Sequence, residues 1–186
     1  MAHVLLLESA MMAFTHILVP TDFGEAAEEA IDAAVAMATK FDAKITLLHA
    51  FFLAYPLAYA NGFYVPMEDV LREARNALSA TLARTQERHP NSQAYLARGE
   101  PWRHILYAAE EREADLVIMG THGRRGVSRL LLGSVAEKIV RLSPVPVLTV
   151  SPRRDRVKRK QTDEPDLQTN GKALFVPRIA GGTGTR

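Results

Sequence analysis

Short apolar runs alternate along this chain with longer stretches whose apolar positions recur at helical spacing. Thr15 to Pro20 (THILVP) is the first run, and it shows no strict in–out alternation. A run of that kind suits a strand buried on both faces. Gly24 to Lys40 follows, with Ala27, Ala30, Ile31, Ala34, Val35 and Ala38 on one helical stripe and acids in the first turn. Ala43 to Ala50 (AKITLLHA) reads as a second buried strand. Glu68 to His89 reads as a long charged helix with Val70, Leu71, Ala74, Leu78 and Leu82 apolar, broken by Pro90-Asn91. Gln93 to Ala97 is a weaker strand. Gly99-Glu100-Pro101 is a turn into a helix carrying Ile105, Leu106, Ala108 and Ala109. Asp115 to Met119 (DLVIM) is the strongest strand, Ser134 to Leu142 a helix, and Pro144 to Val150 (PVPVLTV) a last strand.

Strands alternating with helices give βαβ units and a parallel sheet. Five strands with right-handed crossovers predict a single doubly wound α/β domain, with helices on both faces of the sheet. The expected division is a disordered leader over residues 1–12, the domain over 13–151, and a basic tail over 152–186. The tail contains RRDRVKRK, TDEPD and GGTG and has almost no apolar periodicity, so it is expected to be disordered. The leader's apolar run, Val4 to Leu7, is too short for a secretory signal, and no Lys or Arg precedes it. Met12 is then the natural beginning of the fold.

Composition narrows the chemistry. Hydrophobic residues make up 47% and charged residues 24% of the 186, which suits a globular chain. There is no cysteine, which excludes disulfides, thiolate nucleophiles, zinc–thiolate sites and iron–sulfur clusters. A reducing cytoplasm is compatible with that. The net charge of +2 hides an asymmetry: residues 1–150 carry 14 Lys and Arg against 17 Asp and Glu, and residues 151–186 carry 9 against 4. The body therefore lacks the positive excess of a nucleic-acid binder, and any such binding would fall to the tail. Ala50 to Met67 is uncharged and roughly 18 residues long, the length of a membrane span. Pro56, Asn61, Gly62 and Pro66 interrupt it, so a loop is expected rather than a span.

In an open α/β sheet, ligands sit beyond the carboxyl ends of the strands, where the strand order reverses. The loop after DLVIM runs from Gly120 to Ser134, with glycines at 120, 123, 126 and 133. Glycine permits close backbone approach and positive φ. Gly133-Ser134 opens a helix, where free N–H groups and the positive dipole end can hold an anion. Ser134 could cap that helix or donate its hydroxyl to a phosphate. Arg124, Arg125 and Arg129 add positive charge. No glycine is followed by Lys-Ser or Lys-Thr, so this is not a Walker A loop. The spacing also differs from the dinucleotide fingerprint. On physics alone, a plain connecting loop with a helix cap stays open.

The spacing Gly-x2-Gly-x9-Gly-Ser from Gly120 to Ser134 resembles the ATP-binding signature of the universal stress protein family. His16 to Phe23 (HILVPTDF), Leu47 to Ala50, Gly99-Glu100-Pro101 with Ile105, Asp115 to Gly123, Leu132 to Ala136 and Pro144 to Leu148 resemble that family's other stretches. The similarity covers about residues 13 to 151, and the leader and tail have no counterpart. It implies a strand order of 3-2-1-4-5, a homodimer, and the subclass that binds ATP. Carried over position by position, Pro20, Thr21 and Asp22 would flank the adenosine. Ala50 would offer backbone groups to the adenine, where the family often has valine. Met119, Gly120, Thr121, His122, Gly123, Arg124 and Arg125 would wrap the ribose and phosphates, with Gly126 next in the same loop. Gly133, Ser134 and Val135 would hold the phosphates. A Mg or Mn ion would be bridged mainly by phosphate oxygens, since few carboxylates are at hand.

Plainer readings stand beside these. Asp22 is also an ordinary helix-entry or turn residue. His122 has no neighbouring carboxylate in sequence to orient it for proton transfer. His49 reads as a satisfied core histidine, Trp102 as packing at a helix start, and Glu110 to Glu113 as a solvated face. The aromatics of the 50–67 stretch suit a lid, a partner surface or core packing under the second helix. No catalytic residue is assigned, because no placed base or water-orienting group is visible. The expectation is a cytoplasmic ATP-binding stress-response protein acting by binding and signalling, dimeric through its last strand. The rival readings are a nucleotide-free interaction module, a nucleotidyl-transfer enzyme of related fold, and nucleic-acid binding through the basic tail.

Overall fold

The structure, a computed structural model, describes residues 14–51, 66–121 and 132–152. The elements in chain order are β1 (His16–Pro20), α1 (Glu25–Phe41), β2 (Lys44–Phe51), α2 (Met67–Arg88) and β3 (Ser92–Arg98). They continue with α3 (Pro101–Glu111), β4 (Leu116–Gly120), α4 (Ser134–Leu142) and β5 (Val147–Val150). All strand pairs are parallel, and the sheet runs β3-β2-β1-β4-β5. The doubly wound fold and the 3-2-1-4-5 order are those expected. The last strand is shorter than its apolar run, beginning at Val147. Proline has no N–H to give a ladder, so Pro144 and Pro146 stay outside, and only the Pro146 carbonyl takes part, accepting from the Val117 N–H at 3.0 Å.

The unbroken apolar runs follow from burial on two faces. Ile17, Val19, Ile45, Leu47, Leu116 and Ile118 pack with Ala30, Ile31 and Ala34 of α1 and Leu78 of α2. Leu18, Leu48, Val117 and Met119 point the other way, against Ile105 and Ala108 of α3 and Ile139 of α4. Trp102 sits half-buried at the start of α3, with the Lys138 ammonium 4.9 Å and the Arg103 guanidinium 5.2 Å from its ring. Glu110, Glu111 and Glu113 are exposed, while Arg112 lies 4.3 Å over the Tyr95 ring. Among the described residues no helix is long and apolar enough to cross a membrane. The leader, the 52–65 stretch and the tail beyond Pro152 lie outside the described residues.

Polar groups join the amino-terminal ends of β1 and β4. Asp115 Oδ2 accepts from the Thr15 N–H (2.7 Å), the Thr15 hydroxyl (2.7 Å) and the His16 N–H (2.9 Å). Burial opposes its charge, but these bonds together outweigh it and hold the carboxyl below its usual range. His16 is buried. Its Nδ1–H donates to the Arg112 carbonyl at 2.7 Å, so Nε2 accepts from the Thr46 hydroxyl at 2.7 Å. The Thr46 oxygen in turn accepts from Gln93 at 2.8 Å.

Burial pushes the His16 imidazole below its ordinary value of 6.5. The unfolded chain therefore takes up this proton at a higher pH than the native one. Stability from His16 is complete above pH 6.5 and is lost as pH falls from there toward the lowered native value. Denaturant melts at pH 7 and pH 5 are expected to show this loss in the wild type and a shallower one in His16→Gln. Equal slopes in the two proteins would contradict it.

Candidate functional site

The chain reverses direction across the sheet between β1 and β4, which opens a crevice at their carboxyl ends. Three segments meet there. The first is the β1–α1 loop. The Thr21 N–H donates to the Leu48 carbonyl at 2.8 Å, and the Thr21 carbonyl accepts from His49 Nδ1 at 2.8 Å. The Thr21 hydroxyl oxygen accepts from the Phe23 N–H (3.0 Å), and Asp22 Oδ1 accepts from the Gly24 N–H (3.0 Å). Phe23 sits in the left-handed region at φ 63, which this tight pair of side-chain turns imposes. Asp22 is thus a turn former, as its plainer reading has it, and it stands half-buried at the crevice.

The second segment is the end of β2. Even-numbered residues there point their backbone groups at β1: the Lys44 N–H reaches the Thr15 carbonyl at 2.9 Å, and Leu48 accepts from Thr21. Odd-numbered residues face β3: the Ile45 N–H reaches Asn91 at 3.0 Å, and the Phe51 carbonyl accepts from Gly99 at 2.9 Å. By this alternation the N–H and C=O of Ala50 face β1, whose register with β2 ends at Pro20↔Leu48. Among the described residues neither Ala50 group has a hydrogen-bond partner.

The third segment joins β4 to α4. Met119 is buried and Gly120 ends the strand. The Thr121 N–H donates to the Val150 carbonyl at 2.9 Å, and the Thr121 carbonyl accepts from the Gly133 N–H at 2.8 Å. That bond pins the two ends of the glycine loop together. Gly133 is the N-cap of α4 with φ −60 and ψ 149, a conformation open to any residue. Ser134 is the first residue of α4; it is exposed and makes no capping bond. The N–H groups of that first turn have no intrahelical acceptor.

Three sequence expectations change here. Neither Gly120 nor Gly133 has a positive φ. At Gly120 the reason for glycine is packing: a Cβ would lie 2.7 Å from Ala26 Cβ and 2.9 Å from its carbonyl carbon. Ser134 is not the cap, because Gly133 already holds that place and the Glu137 N–H bonds its carbonyl at 2.8 Å. His49, read from sequence as a core histidine, is half-buried at the crevice between Phe23 (ring centroids 4.4 Å apart) and Phe51 (6.5 Å). Its place at the end of a buried strand, inside the family-like stretch Leu47 to Ala50, does not reveal that placement. Pro20, Thr21, Asp22, Ala50, Met119, Gly120, Thr121, Gly133, Ser134 and Val135 all lie on segments that end at this edge. His122, Gly123, Arg124, Arg125 and Gly126 lie outside the described residues.

This is a doubly wound α/β domain, and folds of this class bind ligands at the topological switch point between β1 and β4. The sequence profile of the universal stress protein family matches residues 13–151. The chain is 32% identical over 142 residues to universal stress protein MJ0531 of Methanocaldococcus jannaschii, covering 74% of this chain and 82% of that protein. The solved structure of protein MJ0577 superposes with a TM-score of 0.63 at 26% identity, over 75% of this chain and 97% of its own. A universal stress protein solved in complex with cAMP shares the fold, with a TM-score of 0.58 at 24% identity over 75% of this chain and 98% of its own. The chain belongs to the universal stress protein family.

Proposed function

We propose that this protein binds ATP at the β1/β4 crevice and works in the cytoplasm by nucleotide-dependent binding and signalling rather than turnover. The observation that carries the reading is the open backbone of Ala50 at the same edge as the β1–α1 loop and the start of α4. An N–H donor and a C=O acceptor on one residue match N1 and the N6 amino group on an adenine edge. Free N–H groups and the dipole of a helix start match phosphate. A relative solved with cAMP carries the same base.

ATP fits these residues in kind. Pro20, Thr21 and Asp22 would flank the adenosine, and Gly133, Ser134 and Val135 would meet the phosphates. A Mg or Mn ion would be held mainly by phosphate oxygens. Binding rather than turnover is favoured because Asp22, the carboxylate that the β1–α1 loop brings to the crevice, uses Oδ1 to hold the Gly24 N–H. The reading includes a homodimer formed through β5.

Titration calorimetry tests the site. Wild type is expected to bind ATP at micromolar affinity or tighter, about −8 kcal/mol. Gly123→Val is expected to abolish the heat, since a branched side chain would occupy the phosphate path. Equal affinity in both proteins would overturn the assignment.

A further inference from the structure

The β1–β2 ladder does not simply run out at Leu48. Continued one step in its own register, it would join the Ala50 N–H to the Thr21 carbonyl and the Phe23 N–H to the Ala50 carbonyl. Both of those partners are engaged elsewhere. The Thr21 carbonyl accepts from His49 Nδ1 at 2.8 Å, and the Phe23 N–H donates to Thr21 Oγ1 at 3.0 Å. A carbonyl can only accept, so His49 must carry its proton on Nδ1 for this bond. The imidazole is held in place by Phe23 on one side, ring centroids 4.4 Å apart, and by Phe51, 6.5 Å away and nearly parallel to it. The side chain of residue 49 thus holds the ladder partner of its own neighbour, and Ala50 has no hydrogen-bond partner among the described residues.

We propose that His49 is a positioning residue: by holding the Thr21 carbonyl, it keeps the N–H and C=O of Ala50 open to pair with the edge of an adenine ring. This rests on the adenine-nucleotide reading of the crevice. The open N–H donates to adenine's ring nitrogen, and the open C=O accepts from its amino group. Guanine presents a carbonyl and a ring N–H in those places and is refused, so His49 supports base selectivity as well as affinity.

The test reads the Ala50 amide directly, by NMR-detected hydrogen exchange without nucleotide. In wild type the Ala50 N–H is expected to exchange much faster than the neighbouring amides of Leu48 and Phe51. In His49→Phe, which keeps the ring between Phe23 and Phe51 but removes the donor, the freed Thr21 carbonyl is expected to capture the Ala50 N–H. Its exchange should then slow by about tenfold, the scale of one added hydrogen bond. A purely structural role would speed exchange there along with its neighbours. His49→Asn, whose amide can place an N–H where Nδ1 stands, is expected to restore fast exchange.

With nucleotide, His49→Phe is expected to bind ATP about tenfold more weakly and to lose its preference for ATP over GTP, and His49→Asn to recover both. Slow exchange at Ala50 in wild type would overturn the proposal without any variant. So would unchanged or faster exchange in His49→Phe. If Ala50 behaves as expected but wild type binds neither ATP nor GTP, the nucleotide reading fails while the positioning role of His49 stands.

Discussion

Gly120→Ala is expected to lower the melting temperature by several degrees and to weaken ATP binding with it. The added Cβ would lie 2.7 Å from Ala26 Cβ, 2.9 Å from the Ala26 carbonyl carbon and 3.1 Å from its oxygen. Two of those three atoms are backbone in the first turn of α1, so no side-chain rotation relieves the contact. Overpacking of this kind costs about 1–3 kcal/mol, and for a domain of this size each kcal/mol shifts the midpoint by roughly 2–4 °C. The strain has two outlets, and both reach the crevice. Moving α1 away displaces its N-cap Gly24 and the Asp22 turn that leads into it. Moving β4 displaces Thr121 and the bond that pins Gly133. Ala26→Gly removes the nearest contact, so the double variant is expected to lose less stability than the two single variants added together. Differential scanning calorimetry of the four proteins checks this. A Gly120→Ala protein that melts with the wild type would show that the close approach of β4 to α1 does not limit residue 120.

Leu148→Lys is expected to convert a dimer into a monomer without unfolding the protomer. β5 forms one edge of the sheet and bonds β4 alone among the described strands. It carries no charge, whereas lone edges are usually protected by lysine, proline or a bulge. Pro144 and Pro146 precede the strand and leave Val147 to Val150 open for pairing. Antiparallel pairing with its copy would give the self-complementary contact that a two-fold axis requires. Leu148 is 39% exposed in the single chain, and Val140 and Leu142 of α4 are exposed as well. A lysine at 148 therefore meets water in the monomer and a buried, unpaired place in the proposed interface. The cost is at least about 3 kcal/mol per dimer, a loss of more than about 100-fold in association. Sedimentation equilibrium at micromolar concentration should find the wild type near twice 20.5 kDa and the variant near 20.5 kDa. A monomeric wild type would contradict the dimer, and a dimeric variant would contradict its route through β5.

The fold was legible because burial on two faces writes itself into the sequence. THILVP, AKITLLHA and DLVIM have no polar alternation, and each lies in a strand sandwiched between helices. Several boundaries are legible too: Ser134 to Leu142 is α4 as read, Glu68 to His89 is within one residue of α2 at each end, and Pro101 opens α3. The reading fails where proline sits inside an apolar run, so PVPVLTV yields a strand that begins only at Val147.

The site was legible as a set of segments but not as a set of roles. Gly120 stands beside a ligand loop in the sequence, yet what restricts it is the close approach of Ala26 in α1, far away along the chain. Ser134 stood out as a capping type, but helix caps are settled by one residue of register. His49 lies in the family-like stretch Leu47 to Ala50, but its role there is not readable from sequence, because what it does depends on which side of β2 the even-numbered backbone groups face. That parity is a property of the paired sheet and cannot be read from one strand alone.

Titration of ATP and AMP into the wild-type protein at equal magnesium separates recognition of the base from recognition of the phosphates. If Ala50 reads the base and the start of α4 reads the phosphates, the N–H groups of that first turn meet only a ligand that carries phosphates that far. ATP is therefore expected to bind at micromolar affinity or tighter, and AMP at least about tenfold more weakly, the scale of one or two charge-assisted hydrogen bonds lost. Absence of heat with ATP, or AMP binding as tightly as ATP, would contradict it.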